Sequence, residues 1–125
     1  MTGYTVSEAI ENCGHLDTVI AHTPHTFAGV LLDTTIANLD EIDSRLEEVI
    51  ENWTLDRLST VDRCTLRLAV GELLFFEDIP PKVTINEYIE IAKEYSDMDA
   101  PAFINGILDK IAHRFLGFNA SNNVT

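Results

Sequence analysis

The sequence predicts an all-α fold, a single domain built as a bundle of five to seven helices. Apolar residues recur at steps of three and four along most of the chain, and no alternation typical of a β-strand extends beyond a few residues. Cap residues, prolines and glycines divide this pattern into segments of helical length. With 125 residues and 46% apolar side chains, the chain is long enough to bury one hydrophobic core.

The first half is predicted to hold a long helical stretch that begins at Thr23-Pro24. Threonine is a common cap, and proline is favoured at the first helical position because its missing N–H has no partner there. The apolar period continues to Trp53. The polar, turn-prone residues 38–40 interrupt it, so we expect a kink or a new helix cap at Asn38.

The next helix follows Ser59 or Thr60, either of which can cap it. It is apolar on most of its sides, which is typical of a helix at the centre of a bundle. Glu72 stands in this apolar company. Two interpretations remain open: a surface carboxylate, or a buried or interface carboxylate paired with an arginine or a partner's donor, since buried carboxylates need pairing.

Two further helices complete the bundle. Pro80 and Pro81 are predicted to stop the central helix, and Thr84 followed by Glu87 matches a capping box, so a helix is expected to start at Thr84. Asp99 is predicted to cap the last helix, which Gly117 ends.

Charge argues against strong, non-specific nucleic-acid binding. The net charge is −13, because 21 acidic residues face 8 lysines and arginines, and such binding depends on cations that neutralise phosphates. Residues 1–60 carry a net −9 and residues 61–125 a net −4. Any contact with RNA should therefore be local and come from the second half.

The sequence offers little for catalysis or for cofactors. There is no glycine-rich phosphate loop, metal motif or nucleophile elbow, so we predict no enzyme, no catalytic residue and no cofactor. His15, His22 and His25 lack a completing ligand set and are interpreted as loop histidines, with no metal. Cys64, paired with His113, would be a distant thiol-enzyme hypothesis; a buried thiol in a cytoplasmic protein is the preferred interpretation.

The segment FINGILDK carries the residues most suited to a ligand. Phe103 lies one position off the apolar stripe of its helix, so its ring is either partly exposed for stacking on a base or part of the core. Asn105 has an amide that can bond a base edge. Gly106 in mid-helix indicates close approach, either of another helix or of a partner.

Three ordered motifs resemble the NusB transcription antitermination proteins: VDRCTLRLAVGELL, IPPKVTINEYIEIAKEY and FINGILDKI. The resemblance covers roughly Phe27 to Ile111. A related alternative is the NusB-like amino-terminal domain of RNA cytosine methyltransferases. The resemblance implies two small packed helical subdomains, with N-terminal helices in residues 1–58, C-terminal helices in residues 59–117 and a flexible tail at 118–125.

The resemblance also implies function. It implies binding of NusE, a small-subunit ribosomal protein, and with it of boxA-type RNA, for antitermination or termination of transcription. The positions that it places at or near the RNA are Phe103, Asn105, Asp99, Lys93 and Lys110. The positions that it places toward NusE are Asp62, Glu72 and Arg67.

Two departures from the family pattern bear on RNA binding. Family members begin with an arginine-rich helix, and Thr2-Gly3-Tyr4 resembles the segment that follows that helix. A basic residue often found before the phenylalanine is Ala102 here. We therefore expect weak RNA binding and keep a second hypothesis, an acidic protein-only interaction module. An uncovered apolar groove would also favour a homo-oligomer.

Overall fold

The computed structural model describes residues 27–51 and 54–117. Five α-helices follow one another: α1 Phe27–Ala37, α2 Leu39–Val49, α3 Thr60–Phe75, α4 Pro81–Tyr95 and α5 Ala100–Leu116, with a 3-10 helix at Leu55–Arg57 before α3. No β-strand occurs in these residues, which confirms the all-α prediction. None of the helices described is long and apolar enough to cross a membrane.

Several predictions fall on residues outside these ranges. They concern the helix start at Thr23-Pro24, the segment Thr2-Gly3-Tyr4, Trp53, the tail at 118–125 and the three histidines His15, His22 and His25.

Three helix boundaries lie where they were predicted. Asn38 separates α1 from α2, and its side-chain amide donates to the carbonyl of Thr34 at 2.8 Å. Ser59 precedes α3, and its hydroxyl accepts the backbone N–H of Asp62 at 3.1 Å. Gly117 ends α5 with φ at 67°, a left-handed conformation that glycine adopts without strain.

The start of α4 corrects a prediction. The helix begins at Pro81, with Pro80 at the cap position, so Thr84 lies inside the helix and its capping box with Glu87 does not form. Proline at the first position costs the helix no hydrogen bond. Thr84 is buried instead, and its hydroxyl donates to the carboxylate of Glu72 at 2.6 Å.

Helix α3 is central, as its apolar surface predicted, and packs against each of the other four helices. Gly71 on α3 allows the close approach of α1, since a Cβ there would lie 2.6 Å from Thr35 Oγ1. All five helices contribute to one core. Its large, fully enclosed side chains are Leu31, Leu32, Ile42, Leu46, Leu66, Val70, Tyr88, Ile104, Leu108 and Ile111. The division into a 1–58 and a 59–117 subdomain stays a prediction.

An ion pair joins α2 to α3. Arg67 donates from Nε and Nη2 to the two carboxylate oxygens of Asp43, at 2.8 and 2.7 Å. The hydrogen bond to Asp43 is the main cause that raises the pKa of Arg67. Both side chains are about one-quarter exposed, so this pair is more shielded from water than the exposed pair of Lys93 and Glu90.

We expect this pair to stabilise the fold measurably. A double-mutant cycle with Arg67→Met and Asp43→Asn should give a coupling free energy of about 1 kcal/mol in urea denaturation, because a bidentate pair with little exposure loses less to solvent screening. The same cycle on the exposed pair Lys93–Glu90 is the control and should give a coupling near zero. Equal couplings at the two sites would contradict this assignment.

Candidate functional site

An open cleft of about 380 Å³ lies where the N-termini of α3 and α5 meet the C-terminus of α4. Its apolar lining residues are Leu58, Ala100 and Phe103, and its charged lining residues are Arg57, Asp62, Asp97 and Asp99. An apolar surface bordered by a few convergent polar groups is typical of a binding site. Here the polar groups are mostly carboxylates, which favours a cationic ligand or partner along the border.

A hydrogen bond through Asp62 joins the start of α3 to the residue that follows α4, at the border of the cleft. Ser96, the residue after α4, donates its hydroxyl to Asp62 Oδ1 at 2.6 Å. Asp62 in turn lies in the first turn of α3, where its backbone N–H donates to Ser59. A carboxylate is favourable at that position because the helix N-terminus carries partial positive charge. The start of α3 is thereby fastened to the end of α4.

Helix α5 supplies the aromatic side of the cleft. Asp99 occupies its predicted cap position but makes no capping hydrogen bond with its side chain, and it is exposed. Phe103 follows four residues later, so the two share one side of the helix. The ring of Phe103 is half-buried and packs against the core. Both earlier interpretations of Phe103 therefore hold in part, because the ring packs on the core and also lines the cleft.

The other positions assigned to RNA do not line this cleft. Asn105 is exposed, but residues two apart do not face the same way on a helix, so it lies away from Phe103. Lys93 is exposed on α4 and pairs with Glu90 at 2.8 Å. Lys110 lines a second groove, between α5 and the end of α2, whose other lining residues are Glu48, Val49, Glu51, His113 and Arg114.

The three positions assigned to a partner protein lie in three different environments. Asp62 lines the cleft, and Arg67 is held by its ion pair with Asp43. Glu72 is 2% exposed, which corrects both its expected place at the partner surface and the surface interpretation.

The donors to Glu72 are hydroxyl groups rather than an arginine. Thr84 donates at 2.6 Å and Tyr88 at 3.3 Å, both from α4. Burial raises the pKa of Glu72, and these two hydrogen bonds oppose the rise. Tyr88 is fully buried, and its pKa is raised well above the ordinary value by burial and by the charge of Glu72, so it stays a neutral donor.

Gly106 corrects a second expectation. It is exposed, and a Cβ built on it would meet no atom of the described residues within 4 Å. It is therefore not a helix–helix contact in this part of the chain. Glycine in an exposed helix interior lowers helix stability by about 1 kcal/mol relative to alanine. No contact with the described residues offsets this loss.

Comparison with known proteins agrees with this helical bundle. The NusB family model matches residues 4–113. The chain belongs to the NusB family. The matched residues include all of the cleft and nearly all of α5.

Relatives within the NusB family are similar over most of this chain. The transcription antitermination protein NusB of Geotalea uraniireducens is 49% identical over 116 residues, which cover 90% of this chain and 80% of that protein. The NusB of Natranaerobius thermophilus is 47% identical over 72% of this chain and 65% of its own length. For the NusB of Geotalea daltonii the identity is 52%, over 70% of this chain and 60% of that protein.

Solved structures confirm the NusB fold. A structure of T. maritima NusB superposes with a TM-score of 0.75 at 38% identity, covering 86% of this chain and 84% of that one. A second match is a chain from the crystal structure of antitermination factors NusB and NusE in complex with dsRNA, with a TM-score of 0.66 and 35% identity over 71% of this chain and 65% of that one.

Arg57 is a residue of this NusB-family cleft that the sequence did not indicate. It is exposed and, among the residues that the structure describes, is the one basic side chain lining the cleft. In the sequence it stands in an ordinary link before a helix cap, with no pattern that connects it to Phe103. Within residues 27–51 and 54–117 no group of three or more histidine, cysteine or carboxylate side chains is arranged to hold a metal ion.

Proposed function

We propose that this chain acts in transcription antitermination by binding NusE and, together with NusE, boxA-type RNA. The observation that carries the proposal is the cleft. It brings Asp62, a position assigned to the protein partner, together with Asp99 and Phe103, two positions assigned to RNA. A surface on which both sets meet suits a ternary complex, in which the partner and the RNA lie side by side.

The relatives support the same proposal. The curated proteins that match are named transcription antitermination protein NusB, and the complex of NusB and NusE with dsRNA contains a chain that is 35% identical. Since two of the first three curated relatives are covered over less than two thirds of their length, the activity and partners of the whole protein remain part of the proposal for this chain.

The charges of the cleft favour contact with NusE over direct contact with RNA phosphates. Asp62, Asp97 and Asp99 repel phosphates, whereas Arg57 is the single described lining residue that attracts them. Binding of RNA by this chain alone should therefore be weak, and the acidic border is better suited to a basic surface on NusE. The ring of Phe103 remains available to a base, because stacking depends on a π-face rather than on charge.

The acidic border also favours a second candidate function, a protein-only interaction module that binds NusE without RNA. The net charge of −13 supports it. Salt dependence separates the two functions, since RNA binding weakens steeply with salt in proportion to the phosphates neutralised. Affinity for RNA that is absent at low salt in the presence of NusE would favour the protein-only module.

A direct test is assembly from purified components. The chain and NusE should form a heterodimer in gel filtration, and fluorescence anisotropy should show that this heterodimer binds labelled boxA RNA more tightly than a scrambled RNA of the same composition. Equal binding of both RNAs would remove the sequence-specific part of the proposal. No heterodimer with NusE would remove the proposal as a whole.

Restoring a basic residue before the phenylalanine should strengthen RNA binding. Ala102 is exposed on α5, and Ala102→Lys adds a cation beside the cleft. We expect the heterodimer to bind boxA RNA several-fold more tightly, with a slope of log affinity against log salt that is steeper by about 0.7, the value for one added contact with a single-strand phosphate.

Ser44→Lys, at an exposed position of α2, adds the same charge away from the cleft and is the control. If Ser44→Lys raises the affinity as much as Ala102→Lys, the gain reflects net charge alone and the place assigned to the RNA is wrong.

Two further statements belong to this proposal. A transcription factor of this kind needs no catalytic centre, and we propose that the chain is not an enzyme. We also propose a cytoplasmic location, where transcripts and ribosomal proteins are present together.

A further inference from the structure

Ser96 holds one of the charged side chains of the cleft in a fixed position. Its hydroxyl donates to Asp62 Oδ1 at 2.6 Å. The short distance is typical of a charge-assisted hydrogen bond, in which a hydroxyl meets an ionised carboxylate. The two residues are 34 positions apart in sequence. Packing of the helices therefore brings them together, and no local pattern produces the contact.

The backbone on both sides of the α4–α5 turn is anchored as well. The N–H of Ser96 donates to the carbonyl of Ala92 at 2.9 Å, which ties the residue to the last turn of α4. Further along, the N–H of Ala100 donates to the carbonyl of Asp97 at 3.0 Å, in a turn that leads into α5. Ser96 is half-buried. A short side chain on an anchored backbone is a firm support for the group that it bonds.

Asp62 is the carboxylate that receives this support. It is half-buried, lines the cleft and occupies a position that the family resemblance assigns to the protein partner. The bond to Ser96 engages Oδ1 and leaves the lone pairs of Oδ2 for a cationic group of the partner. Without that bond the carboxylate would be free to rotate, and Arg57 on the same cleft would compete for it. A carboxylate that is already ordered binds a cation more tightly, because less side-chain freedom is lost on association.

We propose that Ser96 is a positioning residue for NusE binding, which directs Asp62 toward a cationic side chain of NusE. The proposal rests on the NusE-binding function proposed above and adds a residue to which the family resemblance assigned no role. Ser96 acts through Asp62 and needs no contact of its own with the partner. Because the same hydrogen bond fastens α3 to α4, positioning has to be measured separately from stability.

The kinetics of NusE binding by Ser96→Ala in the full chain, measured by surface plasmon resonance, make that separation. The substitution keeps the charge of Asp62, so the association rate should stay within about twofold of the wild type, since steering depends on charge. The dissociation rate should rise about five- to tenfold, because the contact loses its fixed geometry. Ser96→Thr keeps the hydroxyl on an extended backbone that suits threonine, and should restore the wild-type rate. In the Asp62→Asn background, Ser96→Ala should have no further effect.

Asn38→Ala is the matched control, because it removes another side-chain hydrogen bond, the one to the carbonyl of Thr34 at the junction of α1 and α2. It should leave both rate constants unchanged. If Asn38→Ala raises the dissociation rate as much as Ser96→Ala, lost stability explains the effect and the positioning role fails.

Two further outcomes would overturn the role of Ser96 and leave NusE binding standing. One is a wild-type dissociation rate for Ser96→Ala. The other is an additive loss in the Asp62→Asn background, because the effect would then not pass through Asp62. A wild-type chain that binds no NusE would overturn the proposed function itself.

Discussion

Replacing Gly71 with valine is expected to lower the free energy of unfolding by at least about 3 kcal/mol, a large part of the stability of a domain of this size. The reason is the close approach of α1 to α3. A Cβ at this position would lie 2.6 Å from Thr35 Oγ1 and 3.5 Å from Ile42 Cδ1. Valine adds two further methyl groups in the same space, and its χ1 is restricted in a helix.

The smaller change Gly71→Ala identifies the atom responsible. It should cost about 1–3 kcal/mol, and Thr35→Ala should relieve most of this cost by removing the hydroxyl that the new methyl group meets. Thr35→Ala alone should be nearly neutral, since Thr35 Oγ1 is buried and has no hydrogen-bond partner among the described residues. Urea denaturation of the four proteins gives the coupling. Additive effects of the two substitutions would contradict the contact.

Glu72→Ala is expected to cost about 3 kcal/mol. The substitution leaves a cavity and deprives two buried hydroxyls, those of Thr84 and Tyr88, of their acceptor. Each unpaired hydroxyl costs about 1–3 kcal/mol, and relief of the buried charge returns part of the sum. Glu72→Gln keeps the shape and one acceptor oxygen, so it should recover most of the loss. If both variants are equally unstable, the hydrogen bonds are not what Glu72 contributes.

Comparison of the wild type with Glu72→Gln at several pH values tests the charge of Glu72. Burial raises the pKa of Glu72 in the folded state above its ordinary value of 4.5. Between the ordinary pKa of the unfolded state and the raised pKa of the folded state, the folded state therefore binds more protons than the unfolded state. The free energy of unfolding therefore falls as pH rises through this window. Relative to Glu72→Gln, the wild type should lose stability from about pH 4.5 upward. A difference that is constant with pH would mean that Glu72 titrates normally.

The helices were largely predictable because their signals are local. Apolar residues at steps of three and four, together with Ser59 and Gly117 as end residues, depend on few neighbours in sequence. The predicted helix start at Thr84 was wrong, because threonine and glutamate at cap spacing are also compatible with a position inside a helix. The helix that begins at Pro81 brings Thr84 to the carboxylate of Glu72 on α3, and that contact between helices has no local signature.

The cleft was less predictable, because contacts between residues distant in sequence have no local signature. Its lining comes from residues 57–62 and 97–103, which lie far apart in sequence, so helix packing alone decides that they meet. Phe103 was singled out by its position beside the apolar stripe of its helix, whereas Asp62 and Asp99 were assigned to a binding surface only through the family resemblance. Arg57 carries no local signal, and the open space beside Gly106 depends on how the described helices pack.

The proposed function requires that Phe103 present an aromatic face to RNA, and titration of labelled boxA RNA with the NusE heterodimer measures this contact. Phe103→Leu keeps apolar packing against the core but removes the ring, whereas Phe103→Tyr keeps the ring. Phe103→Leu should lower RNA affinity by about 5- to 100-fold, as expected for the loss of one stacked base. Phe103→Tyr should bind RNA like the wild type, and all three proteins should bind NusE equally and melt cooperatively. Equal RNA affinity for Phe103→Leu and the wild type would mean that no RNA base stacks on Phe103.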